Sequence, residues 1–196
     1  MNEKLRIEEL VLTAAISAVI GAIFLVWSNI VWDATKLLLG LSLTPIIYGV
    51  WFIGATIPAY IIRKPYVAVL GELLAAILEL FYGSQFASTV LLYGFMQGLM
   101  SEAVFFLTRY KKWDWLTMAL AGAAPALWAA PADTILYGIT NPLTPEQRIV
   151  FWSLYFVSGA IFAGILVKAI LDYVAKKSSL LDAFAVGKSV KNIEPC

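Results

Sequence analysis

The sequence predicts an all-α polytopic membrane protein with six transmembrane helices, and three observations carry that prediction. Hydrophobic residues make up 61% of the 196-residue chain, and the mean hydropathy is +0.84. Charged residues are only 14%, well below the ~25% of a soluble domain. The apolar residues fall into six runs, roughly 9–32, 42–62, 66–82, 86–109, 114–138 and 148–174. Each approaches or exceeds the ~20 residues that span a hydrocarbon core. No connection is long enough for a soluble domain, so residues 1–196 read as a single membrane domain with a polar, frayed tail over 176–196.

Composition also narrows function. The net charge of +1 points to no nucleic-acid partner. Histidine is absent, which removes the commonest metal ligand and the commonest general base. The single cysteine, Cys196, supports neither an internal disulfide nor a thiolate metal site. Neither a metal nor a cofactor is expected. The first apolar run is of transmembrane length and shows no clear cleavage site, so it reads as a span and not as a signal peptide.

Basic residues set the orientation. With the N-terminus inside, only Lys36 and Arg148 of the 14 basic residues fall outside. Both termini are then cytoplasmic, and the corner Tyr82–Gln85 and the loop 139–147 face outward.

In the first run Ala14, Ala18 and Ala22 repeat at four-residue spacing. Such a stripe lets another helix come close; it serves either packing within the bundle or docking of a partner subunit. Trp27–Asp33 reads as an outer corner with interfacial tryptophans. The second run holds Tyr48, Trp51, Phe52 and Pro58 and ends in the turn Arg63-Lys64-Pro65, with Pro65 suited to the first turn of the next helix.

The third and fourth runs carry three carboxyl groups, Glu72, Glu79 and Glu102. An ionisable group at membrane depth faces a bundle interior or a cavity, and a functional role is the default reading. Glu72 and Glu79 lie seven residues apart, about two turns, hence on one face. Glu72 and Glu102 read as a deep structural pair nearer the cytoplasm, of uncertain role. Glu79 reads as a ligand group near the outer mouth.

The fifth run contains Pro125 and Pro131, whose freed carbonyls need other partners. Thr144-Pro145-Glu146 has the form of a helix start. Assembled, the outer half gathers Glu79, Tyr82, Gln85, Tyr93 and Gln97 with Trp128, Asp133, Tyr137, Trp152 and Tyr155. Aromatic walls with a few placed acceptors suit a flat organic cation.

Several stretches also carry a family resemblance: Tyr48–Pro65, Gly71–Phe86, Leu91–Asp114 and Leu120–Leu127. Among them the Arg-Lys-Pro turn, the Gly-Ser-Gln corner and the Tyr-Gly-x-x-Gln-Gly-x-x-x-Glu run are the most specific. They resemble the YkoE-type S components of energy-coupling factor (ECF) transporters. The resemblance implies an S-component-like bundle in the plasma membrane of a prokaryote. It implies a ligand that is thiamine or its hydroxymethylpyrimidine precursor, bound toward the outer face. The implied partners are a transmembrane coupling subunit and two ATP-binding cassette subunits, with the alanine stripe as the docking face. No phosphate-binding loop of the G-x-x-x-x-G-K-[ST] kind is present, so ATP would be used elsewhere. The chain reads as a binding subunit and not as an enzyme. A proton-coupled carrier, or an intramembrane enzyme using the buried carboxyl groups, is the alternative. A nickel or cobalt carrier is disfavoured for want of imidazole.

Overall fold

A computed structural model describes residues 4–191, so Cys196 lies outside the described residues. The apolar runs form helices α1 (Ile7–Leu39), α2 (Leu41–Ile62), α3 (Val67–Tyr82), α4 (Thr89–Leu107), α5 (Trp115–Leu136) and α6 (Pro145–Lys177), followed by the short α7 (Ala185–Lys191). α1, α2, α4, α5 and α6 are long and apolar enough to cross a membrane. α3 has 16 residues and carries Glu72 and Glu79. It packs among α1, α2 and α4. The outer surface of the bundle presents Leu37, Leu38, Phe81 and Ile135, as a lipid-facing surface should.

Glycine lets α3 and α4 approach backbone to backbone. A Cβ at Gly94 would lie 2.5 Å from the Ala76 Cβ, and one at Gly98 would lie 2.8 Å from the Val69 Cα. Ser17 of α1 donates from its hydroxyl to the Gly71 carbonyl of α3 at 2.9 Å. That contact turns Thr13, Ser17 and Gly21 inward. Ala14 and Ala22, on the other side of α1, are exposed, and Ala18 is half-buried.

Several local expectations differ from what the fold shows. Trp27–Asp33 is not a corner: the winding widens over Trp27–Val31 and the helix continues to Leu39. The first half of α2, Leu41–Phe52, is wound more tightly as 3-10 helix around Pro45, which has no N–H to give to an α ladder. α3 begins at Val67, because Tyr66 takes a left-handed conformation (φ 69°) after Pro65. The tail is not frayed through Lys191. α7 folds back with Val186 and Val190 buried, and the Arg63 guanidinium donates to Ser189 Oγ at 2.8 Å.

Two helix starts follow from their caps. Asp114 accepts the Thr117 N–H at 2.8 Å at the head of α5, and that hydrogen bond holds its carboxyl below the usual carboxylate range. Thr144 and Gln147 form a reciprocal capping box at the head of α6, with Pro145 in the first turn.

Glu102 is not paired with Glu72. Its carboxyl accepts the N–H groups of Tyr66 at 2.7 Å and Ala68 at 2.9 Å, and the Tyr110 hydroxyl at 2.7 Å. It therefore caps the start of α3 from a neighbouring helix. A carboxylate there satisfies N–H groups that no intrahelical carbonyl can reach, and it complements the positive end of the helix dipole.

Candidate functional site

A cavity of about 300 Å³ opens at the end of the bundle that carries the Gly83–Ser88 corner. α1, α2, α3, α4 and the end of α5 all contribute to its lining. Its size falls at the lower end of the range for small-molecule pockets.

The widened turn of α1 gives the site its first polar contact. It aims Ser28 at α3, and the Ser28 hydroxyl donates to Glu79 Oε1 at 2.6 Å. Ser84, from the corner, donates to the same oxygen at 2.8 Å. The indole N–H of Trp51 donates to Ser28 Oγ at 3.2 Å. Both hydroxyls converge on one oxygen of Glu79, leaving Oε2 for another donor. The corner is itself tied to α1: the Gln85 amide donates to the Ser28 carbonyl, and the Gln85 N–H donates to Asn29 Oδ1 at 3.0 Å.

Asp133 of α5 also lines the cavity. The Tyr93 hydroxyl donates to its Oδ1 and the Tyr155 hydroxyl to its Oδ2. Two aromatic groups make the walls. Trp32, Tyr48 and Trp51 pack with centroids 4.8 to 5.7 Å apart. Tyr137 lies 6.2 Å from both Phe86 and Tyr93. Ring faces and edges of this kind can surround a flat or cationic group.

Of the residues expected at the site, Glu79, Gln85, Tyr93, Gln97, Asp133 and Tyr137 line the cavity. Four others do not, each for a local reason. Tyr82, at the last turn of α3, is 46% exposed on the bundle surface. Trp152 is also turned outward and donates from its indole to Thr134 Oγ1 at 3.1 Å. Tyr155 is fully buried behind Asp133, where it orients the carboxyl without reaching the cavity. Trp128 packs edge-on to Tyr93 at 6.5 Å, away from the lining.

Glu72 corrects the expectation in the other direction. It lines the cavity and is 1% exposed. No group among the described residues forms a hydrogen bond to either of its carboxyl oxygens, although the Ala55 N–H lies nearby without the required geometry.

Trp32, Tyr48, Trp51, Phe86 and Ser28 are lining residues that sequence reasoning did not assign to the site. Tyr48 and Trp51 share one face of α2 by their three-residue spacing, a signal present in the sequence. Ser28 had none, since its inward aim comes from the local widening of α1.

Comparison with known proteins agrees with this architecture. Residues 8–128 match the family model described as "ABC-type cobalt transport system, permease component". A Bacillus subtilis (strain 168) protein named HMP/thiamine permease protein YkoE is 32% identical over 186 residues, covering 95% of this chain and 92% of its own length. The crystal structure of an S-component of ECF transporter matches with a TM-score of 0.89 at 31% identity, over 96% of this chain and 94% of that one. A six-run membrane sequence, a bundle with a cavity at one end, and relatives alike in sequence and fold along nearly the whole chain lead to one assignment. The chain belongs to the permease-component family that includes YkoE, and it is a substrate-binding S component of an ECF transporter.

Proposed function

We propose that the chain captures thiamine or its hydroxymethylpyrimidine precursor from outside the cell for ATP-driven uptake. The observation that carries this reading is the cavity itself: carboxyl groups of Glu72, Glu79 and Asp133 set among aromatic walls. Thiamine offers a cationic thiazolium, an aminopyrimidine and a hydroxyl. Glu79 balances the cation or accepts from the amine, the aromatic faces contribute cation–π attraction of ~0.5–2 kcal/mol, and Gln85 and Gln97 serve the remaining polar atoms. The name of the B. subtilis relative supports this ligand class.

The whole chain acts as one membrane unit of six crossings with both termini cytoplasmic, which puts the cavity mouth outside. Energy comes from a transmembrane coupling subunit and two ATP-binding cassette subunits, docked through the side of α1 that carries Ala14, Ala18 and Ala22. The chain performs no chemistry of its own. A cobalt cargo fits these residues less well. Histidine is absent from the sequence, and the described residues hold no group of three potential metal-binding side chains.

The test is identification of the small molecule that co-purifies with the protein, followed by titration in detergent with thiamine, hydroxymethylpyrimidine and cobalt(II) chloride. Saturable binding of either pyrimidine compound and none of cobalt is the expected result. Binding of cobalt alone would refute the reading.

A further inference from the structure

The end of the bundle away from the ligand cavity holds a second cleft, of about 590 Å³. The head of α1, the α2–α3 turn, and α7 with the connection before it form its walls. Five basic side chains line it, Lys4, Arg6, Arg63, Lys64 and Lys188, against one acid among the described lining residues, Glu9. Orientation in a membrane explains why basic residues gather at one end of a bundle. It does not explain why they converge on one cleft from three separate segments, where like charges repel.

Internal contacts hold the walls in place and occupy the acid. Glu9 Oε1 accepts the Arg6 Nε–H at 3.1 Å, and Oε2 accepts the Arg6 backbone N–H at 2.8 Å and Lys64 Nζ at 3.0 Å. Lys64 also donates to the Lys4 carbonyl at 3.2 Å, and Arg6 Nη2 to the Ala183 carbonyl at 3.5 Å. Arg63 donates from Nη1 to Ser189 Oγ at 2.8 Å and from Nε to the Tyr60 carbonyl at 3.2 Å. Glu9 is thus shared by two cations. Lys4, Arg63 and Lys188 form no ion pair among the described residues.

We infer that this cleft is a binding site for a phosphate group, with Arg63, Lys4 and Lys188 as its charged contacts. Guanidinium offers a planar fork that matches phosphate oxygens, and the ammonium groups add compact positive charge. A carboxylate has only two oxygens, whereas a phosphate spreads its charge over more and can meet three cations arriving from separate segments. A phospholipid headgroup and free phosphate share this chemistry. The headgroup has the nearer supply: Ile7, Leu10 and Val11, in the first turns of α1, are exposed apolar residues. Basic pockets between transmembrane helices are a recurrent seat for anionic headgroups. No residue lines both this cleft and the ligand cavity, so the inference does not rest on the identity of the transported ligand.

The test uses the purified chain in detergent and two double variants. Lipid binding is read by native mass spectrometry with dioctanoyl phosphatidylglycerol and dioctanoyl phosphatidylcholine. Free phosphate is read by the melting temperature in sodium phosphate against sodium chloride at equal ionic strength. Wild type should bind phosphatidylglycerol more tightly than phosphatidylcholine. Lys4→Gln/Lys188→Gln changes two exposed side chains of the cleft and should weaken phosphatidylglycerol ~30-fold, at roughly fivefold for each basic group near an anionic lipid. Lys111→Gln/Lys112→Gln removes the same charge from the α4–α5 connection, outside the cleft, and should bind as wild type does. Phosphatidylglycerol binding without a phosphate-specific rise in melting temperature confines the site to lipid headgroups. A rise in wild type that the cleft variant lacks extends it to free phosphate. Either result supports the site. Equal binding of the two lipids with no phosphate-specific rise overturns it. Equal weakening by the two double variants overturns it too, since that is general surface charge, and so does wild-type behaviour of Lys4→Gln/Lys188→Gln. A tetraglutamate peptide that binds where neither phosphate probe does would make the cleft a protein-docking surface and overturn the inference as well.

Discussion

Glu102→Gln tests the most consequential structural contact outside the cavity. Glu102 Oε1 accepts the Tyr66 N–H and the Tyr110 hydroxyl, and Oε2 accepts the Ala68 N–H. Glutamine keeps one acceptor oxygen. If it serves Ala68, the Tyr66 N–H faces an amide NH₂ and loses its partner. Tyr110 can adapt, since its hydroxyl can rotate to accept. One part-buried N–H is then unsatisfied, and the remaining bonds are made to a neutral amide oxygen. Hydrogen bonds to charged groups are worth ~1.5–3 kcal/mol and an orphaned donor costs ~1–3 kcal/mol, so the loss should be ~2–4 kcal/mol. The assay is chemical unfolding of purified protein in mixed detergent micelles, followed by tryptophan fluorescence. Ligand affinity at a permissive temperature should change little, since Glu102 does not line the cavity. An unfolding free energy within about 0.5 kcal/mol of wild type, the range of an ordinary surface substitution, would refute the capping role. A selective loss of ligand affinity at full stability would place Glu102 in the binding machinery instead.

Three further outcomes are expected. Cysteines placed at Ser84 and Asn141 should react with a membrane-impermeant reagent in intact cells while Cys196 stays protected; external labelling of Cys196 would contradict an inward C-terminus. Ala14→Trp and Ala18→Trp should abolish uptake and leave ligand binding in detergent nearly intact, because the bulk lies on the outer face of α1 away from the cavity; equal loss of binding would assign the stripe to internal packing. Gly98→Ala should destabilise by ~1–3 kcal/mol in the same unfolding assay through overpacking, because its Cβ would lie 2.8 Å from the Val69 Cα; a neutral result would mean that α3 and α4 can separate freely.

The membrane class, the approximate placement of the helical runs and the importance of α3 were legible in one dimension. Lipid demands long apolar runs with internally satisfied backbones, and a carboxyl inside such a run stands out against that background. Glu79, Gln85, Tyr93, Gln97, Asp133 and Tyr137 could be gathered by depth alone, because helical rise converts residue number into height. Depth does not give direction around the helix axis or identify the neighbouring helix. Trp152 and Tyr82 stand at an appropriate level and face outward, while Tyr155 reaches Asp133 only from behind.

The tertiary structure decided the roles of the carboxyl groups. Glu72 and Glu102 look alike in sequence: each is a glutamate set inside an apolar helix. Glu102 found the open N–H groups at the start of α3, because the left-handed turn at Tyr66 exposes them to α4. Glu72 found no hydrogen-bond partner among the described residues, because close crossings at Gly54, Gly94 and Gly98 surround it with groups that do not hydrogen-bond to it. Local sequence fixes a side chain's height and chemistry, but its partner is set by which backbone the fold brings within about 3 Å. That distance depends on helix crossings made by residues far apart in the chain.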